Sequence, residues 1–129
     1  MYNSEWFQNL NKPFLNPPSG LFQPVWTILY ILMIISLINF ILVPSEYSKK
    51  TGYVFFVLQL VLNLIWSPVF FGMKNIALAF LVVVSLDISV VFLIREFYKV
   101  SKPSAYMLIP YLLWILFATY LNGAYFVLN

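Results

Sequence analysis

The chain has 129 residues, of which 63% are hydrophobic and 9% charged. Ordinary soluble domains carry roughly 45–50% apolar and about 25% charged residues, so charges this sparse could not cover a water-soluble core. The absence of Cys excludes disulfides, thiolate metal sites and thiol nucleophiles, and the absence of His removes the commonest metal ligand and neutral-pH base. The net charge of +3 comes from basic residues in loops, with no basic helical face to track phosphates, so no nucleic-acid partner is expected.

Residues 1–20 lack an apolar run, so no cleavable signal sequence is expected and the first spanning helix must drive insertion. Trp6, Phe7, Leu10, Phe14 and Leu15 alternate there with Lys12-Pro13 and Pro17-Pro18. Prolines stiffen this piece. It reads either as an interfacial collar or as a lid over the outer mouth of a bundle. Four apolar stretches follow, at residues 21–43, 53–73, 76–94 and 104–127. Each holds roughly 19 to 24 residues, enough for a helix to cross a hydrocarbon core of about 30 Å. Helix satisfies every backbone group inside lipid. The expected fold is therefore all-α: a polytopic membrane bundle of four helices forming one domain over residues 1–129.

The connections are short, at residues 44–52, 72–75 and 95–103. Lys49, Lys50, Arg95, Lys99 and Lys102 lie in the first and third, whereas the opposite side has only Lys12 and Lys74 of the chain's seven basic residues. The positive-inside rule then places loops 44–52 and 95–103 in the cytoplasm and both termini outside.

Within the bundle, polar and aromatic side chains mark the inward faces, because apolar residues gain nothing by leaving lipid. Phe22, Trp26, Tyr30 and Met33 form one stripe, and Asn63, Trp66 and Phe70 a second, beside Ser67 and Pro68. Trp114, Ala118, Leu121 and Tyr125 form a third, with Thr119 and Asn122 close by and Pro110 one turn earlier. Facing one another, these stripes would line a flat apolar cavity with a few polar handles, the usual chemistry of a small-molecule site. The alternative is packing, with Asn63 and Asn122 bonding across helices and Pro68 and Pro110 acting as kinks. Asp87, flanked by Ser85 and Ser89, is the single ionisable group inside the first three stretches. It reads as a coupling group for a proton-driven transporter, or as a neutral carboxyl bonded to a serine or a backbone carbonyl.

Three motifs in order resemble the TspO/MBR family of tryptophan-rich sensory or translocator proteins. They are Trp6-Phe7 through Leu10-Asn11-Lys12-Pro13, Pro17-Pro18, Phe22 and Val25-Trp26; Leu62-Asn63-Leu64-Ile65-Trp66-Ser67-Pro68; and Pro110-Tyr111, Trp114 and Phe117 to Asn122. The resemblance implies a helical bundle, commonly dimeric, that binds porphyrins, other tetrapyrroles, sterols and synthetic aromatic ligands. It implies a site lined by Trp26, Asn63, Trp66, Trp114 and Ala118 and covered by residues from Trp6 to Pro18. With the stripe residues added, the candidate binding set is Trp6, Phe7, Pro18, Phe22, Trp26, Tyr30, Asn63, Trp66, Trp114, Ala118 and Asn122.

The chain departs from the family pattern in three ways. Family members normally have five spanning helices, and this sequence starts where the loop after the first would be. Trp6-Phe7 stands where the family has Trp-Tyr, and the last helix lacks the basic residue of the cholesterol pattern found in animal relatives. The expected function is binding and sensing of a porphyrin-like tetrapyrrole in the bacterial plasma membrane, with the macrocycle stacked on Trp26 and Trp114. No cofactor is required. A metal-free porphyrin or a bilin is the candidate ligand, since only Met33 and Tyr30 offer weak axial contacts to iron. The rival readings are a transporter of such molecules, a light-dependent porphyrin-degrading enzyme, and a scaffold whose aromatic faces merely pack.

Overall fold

A computed structural model describes residues 19–128, with side chains from Pro24 onward. The candidate residues Trp6, Phe7 and Pro18, and the side chain of Phe22, lie outside that description, as does the expected cover. Helix α1 spans Ser19–Leu42 and α2 spans Lys50–Ser67. A π-helical turn, Pro68–Gly72, prolongs α2. Helix α3 follows at Ile76–Val100, the short α4 at Lys102–Met107 and α5 at Ile109–Leu128. Among the described residues four helical stretches are long and apolar enough to cross a membrane, with α4 and α5 together forming the last.

Proline sets the irregularities. Pro68 has no N–H to give to the carbonyl one turn back, and the chain winds wider there: Met73 N–H donates to Pro68 O over five residues, at 2.9 Å. Lys74 then takes a left-handed φ of 55° to reverse the chain. The Asn75 side chain accepts the N–H of Leu78 at 3.0 Å and starts α3. The break at Leu108 between α4 and α5 stands next to Pro110, which likewise cannot donate.

Two expected boundaries differ. Helix α3 continues beyond residue 94 to Val100, and the connection expected at 95–103 shrinks to Ser101. Charge ended the apolar run there without ending the helix, because Arg, Glu and Lys are good helix formers. Glu96 and Lys99 even pair along it, at 2.9 Å. Helix α2 likewise begins at Lys50, before its apolar run. Lys49 donates to Ile41 O at 2.9 Å and Val43 O at 2.7 Å, placing a cation on the carbonyl end of α1.

Helix α3 is central and packs against α2 and α5, while α1 leans on α4 and α5. Val83, Leu86, Val90, Leu93 and Phe97 of α3 meet Leu29, Met33 and Phe40 of α1 and Tyr111 and Ile115 of α5 in one buried cluster. Phe40 stacks on Phe97 with centroids 4.0 Å apart. A Cβ on Gly52 would stand 2.7 Å from the Phe40 ring, so glycine is what lets α2 start there.

The burial pattern suits a bilayer. Ile28, Ile31, Ile34, Ile35, Ile38 and Ile41 cover the outside of α1, whereas Ser36, Gln59, Asn63, Asp87, Ser104 and Asn122 are buried. One polar knot ties α1 to α4. Ser101 and Ser104 both donate to Asn39 Oδ1, the latter at 2.6 Å, and Ser36 donates to Ser104 O at 2.6 Å. Asn39→Leu removes the shared acceptor and should destabilise the bundle by about 1–2 kcal/mol, since interhelical bonds in lipid average about 0.6 kcal/mol and reach about 1.7. Denaturant titration in mixed micelles, followed by tryptophan emission, measures this; an unchanged midpoint would contradict the assignment.

Candidate ligand-binding cavity

All four long helices contribute to one half-enclosed cavity of about 170 Å³. Trp26 and Tyr30 come from successive turns of α1, and Asn63, Trp66 and Ser67 from the end of α2. Val83 and Leu86 of α3 and Ile115 and Ala118 of α5 close it. The cavity sits beside the π-helical turn, where Pro68 diverts the chain, and the small Ala118 leaves room opposite.

The two indoles of the lining are held differently. Trp66 donates its Nε1–H to Asn122 Oδ1 at 2.9 Å, and Asn122 in turn donates to Ile76 O at 3.0 Å. That bracket links α2, α3 and α5. Trp66 also lies against Phe70 at 5.3 Å, and Phe70 against Tyr125 at 6.1 Å. Trp26 tilts toward Tyr30 at 5.7 Å and meets Trp114 edge-on at 6.3 Å and 84°.

Behind this lining runs a chain of side-chain hydrogen bonds. Tyr30 donates its hydroxyl to Asn63 Oδ1. Asn63 Nδ2 donates to the Tyr111 hydroxyl at 2.9 Å, and Tyr111 donates to Gln59 Oε1 at 2.8 Å. Gln59 Nε2 closes the series on the sulfur of Met33 at 3.4 Å. Gln59 and Tyr111 are fully buried.

Of the sequence-predicted residues, Trp26, Tyr30, Asn63, Trp66 and Ala118 therefore meet around one space. Trp114 does not line it: the ring backs Trp26, and its Nε1 is buried without a hydrogen-bond partner among the described residues. Asn122 does not line it either, because its amide is engaged with Trp66 and Ile76. Four residues escaped the sequence reading, Val83, Leu86 and Ile115 of the lining and Gln59 behind it, while Tyr111, also behind it, stood in the third motif without a role. Gln59 lies one turn before Asn63 on the same face, and Tyr111 one turn before Ile115, so helical spacing carried a signal for both.

Asp87 lies outside the cavity lining, and its partner is a threonine of another helix rather than a serine or a backbone carbonyl. Thr119 Oγ1 reaches from α5 to Asp87 Oδ2 and also lies 2.8 Å from Ile115 O of its own helix, so its single proton serves one of the two acceptors at a time. Ser85 and Ser89 instead turn back onto Leu81 O and Ser85 O, each at 2.9 Å, as mid-helix serines do. A second hollow of about 570 Å³, lined by Phe80, Thr119, Tyr120, Gly123, Ala124, Val127 and Leu128, is shallow and contains neither an indole nor an amide.

The same chain matches the TspO/MBR family model over residues 1–128. The chain belongs to the TspO/MBR family. It is 42% identical to the tryptophan-rich protein TspO of Chlorobaculum tepidum, over 98% of this chain and 80% of that protein. It is 37% identical to the tryptophan-rich sensory protein of Cereibacter sphaeroides, covering 92% and 73%. With the translocator protein of Ovis aries it shares 31% identity over 91% and 70%. Family and apolar helices together make it an integral membrane protein.

The Trp66 bracket is open to test. Asn122→Leu removes the acceptor and should leave Trp66 mobile, raising red-edge heterogeneity of tryptophan emission and lowering stability by about 1 kcal/mol. Emission identical to the parent protein would mean that the bracket does not hold the ring.

Proposed function

We propose that this protein is a membrane receptor of the sensory kind whose cavity takes one edge of a planar, metal-free tetrapyrrole. The observation that supports this reading is the convergence of Trp26 and Trp66, from different helices, with Tyr30 and Asn63 on one apolar space. The pairing differs from the one expected from sequence: Trp26 and Trp66 offer stacking faces, and Trp114 buttresses Trp26. Small-molecule pockets run to about 300–1,000 Å³, so a space of about 170 Å³ admits part of such a ligand, and the remainder extends through the open side. Much of the ligand's apolar surface would come from lipid rather than water, so burial alone supplies little selectivity. Aromatic stacking, at about 0.5–1.5 kcal/mol per pair, and the polar handles supply it instead.

Two residues that could have served as axial iron ligands are already engaged, Met33 by Gln59 and Tyr30 by Asn63. That favours a macrocycle without iron. The names of the relatives allow sensing or translocation. Asp87, the residue a proton-driven transporter would use, lies off the cavity, which favours sensing. The basic residues at the 44–52 loop and around Ser101 support a reading in which that end faces the cytoplasm of a bacterial plasma membrane.

Titration of the protein in lipid nanodiscs with free-base protoporphyrin should quench tryptophan emission saturably. Trp26→Ala and Trp66→Ala should each weaken binding by about tenfold, and Trp114→Ala by less. Unquenched emission from folded protein would overturn the proposal, as would wild-type affinity in both lining variants.

A further inference from the structure

Asp87 is the buried group that the cavity does not use, and a count of protons decides its state. Its Oδ2 faces Thr119 Oγ1 of α5, and its Oδ1 is buried without a hydrogen-bond partner among the described residues. The nearby serines are committed elsewhere, Ser85 to Leu81 O and Ser89 to Ser85 O. A carboxylate can only accept, and a threonine hydroxyl has one proton to give. With Asp87 ionised, that proton must leave Ile115 O to reach Oδ2, and Oδ1 still holds charge without a donor. With Asp87 neutral, Oδ2–H donates to Thr119 Oγ1, and Thr119 donates to Ile115 O at 2.8 Å. Every proton then has an acceptor. The bare Oδ1 becomes an uncharged carbonyl oxygen, far less costly to bury than part of a carboxylate.

No described cation is placed to hold the charged form. The ion pair of the described residues, Glu96 with Lys99, lies elsewhere on α3. Arg95, the next basic residue along that helix, is eight residues on, about 12 Å along the axis. Around Asp87, α5 brings Tyr111, within electrostatic reach, with Tyr120 and Tyr125 further along, and α1 brings Tyr30. All are phenols. Lys50 and Tyr53 of α2 and Lys102 and Tyr106 of α4 stand at the end of the bundle marked by Phe40, Phe97 and Tyr98.

We infer that Asp87 and Thr119 form a proton-binding site between α3 and α5, occupied in the folded protein, and that release of its proton loosens the cavity wall supplied by α5. Thr119 follows Ala118 of the lining and precedes Asn122, which brackets Trp66. Ile115, whose carbonyl ends the relay, is itself a lining residue. Release withdraws the Thr119 bond from Ile115 O and leaves an unpaired charge between two helices, which must part or admit water to solvate it. The proton is thus a second input to the bundle, bound away from the cavity and independent of what the cavity holds.

Infrared spectra of the full chain in nanodiscs read the site directly. At neutral pH the wild-type protein should show the C=O stretch of a protonated carboxyl, and Asp87→Asn should lose it. Thr119→Val keeps the shape and removes the hydroxyl, so the band should persist at higher wavenumber, as for a carboxyl without a hydrogen-bond partner. Raising the pH should abolish the wild-type band because the folded chain loses a proton that its packing requires. Over the same interval the denaturant midpoint should fall and tryptophan emission should move to the red. Asp87→Asn, an uncharged near-isostere, should hold midpoint and emission constant there. A wild-type spectrum without the band, or one identical to that of Asp87→Asn, overturns the proton site. A band lost on alkalinisation with midpoint and emission unchanged overturns the link to the cavity wall. If Asp87→Asn does not fold, the wild-type band and its displacement in Thr119→Val still decide the site.

Discussion

Hydrocarbon offers a polar group no water, and that constraint organises the interior of this bundle. Gln59, Asn63, Tyr111 and Asn122 would each be costly to leave unpaired at such depth, and each finds a partner on another helix. The bonds are individually modest, because a polar side chain loose in the membrane also finds partners. Their effect is geometric. They specify which turn of α1 faces which turn of α2, where contacts between apolar side chains would permit sliding.

The cavity follows from that register. Tyr30 and Asn63 meet across it, Met33 and Gln59 meet behind it, and Trp66 is fixed by Asn122 on its far side. Proline contributes by subtraction. Pro68 cannot continue the α-helical ladder, the chain widens into a π-helical turn, and the end of α2 is diverted beside the lining. Such turns recur at functional sites. The fully packed region around Phe40 and Phe97, where Gly52 admits no added carbon, shows the contrasting condition at the other end of the bundle.

Helical sensory and translocator proteins must recognise ligands that lipid already solvates well. Apolar contact then discriminates poorly, and the polar groups of the site gain weight. Here those groups are few: Tyr30 and Asn63 meet at the cavity, and Trp66 is held from its far side by Asn122.

How much of this was legible beforehand differs from residue to residue. Length and uniform hydrophobicity determined the spanning helices, because a backbone in lipid has one local solution and the side chains need only be apolar. The indole and amide positions at Trp26, Asn63 and Trp66 were visible as helical stripes and as motifs of the TspO/MBR family. Which stripe residues share a space was not visible. Trp114 and Asn122 lie on the expected faces, yet helix rotation and the reach of neighbouring side chains turn one into a buttress and the other into a bracket. Asp87 chose Thr119 over its own serines because Ser85 and Ser89 can return to carbonyls in their own helix, while a carboxyl has no such donor nearby. Periodicity is a property of one helix at a time. The cavity belongs to several, and only their packing decided it.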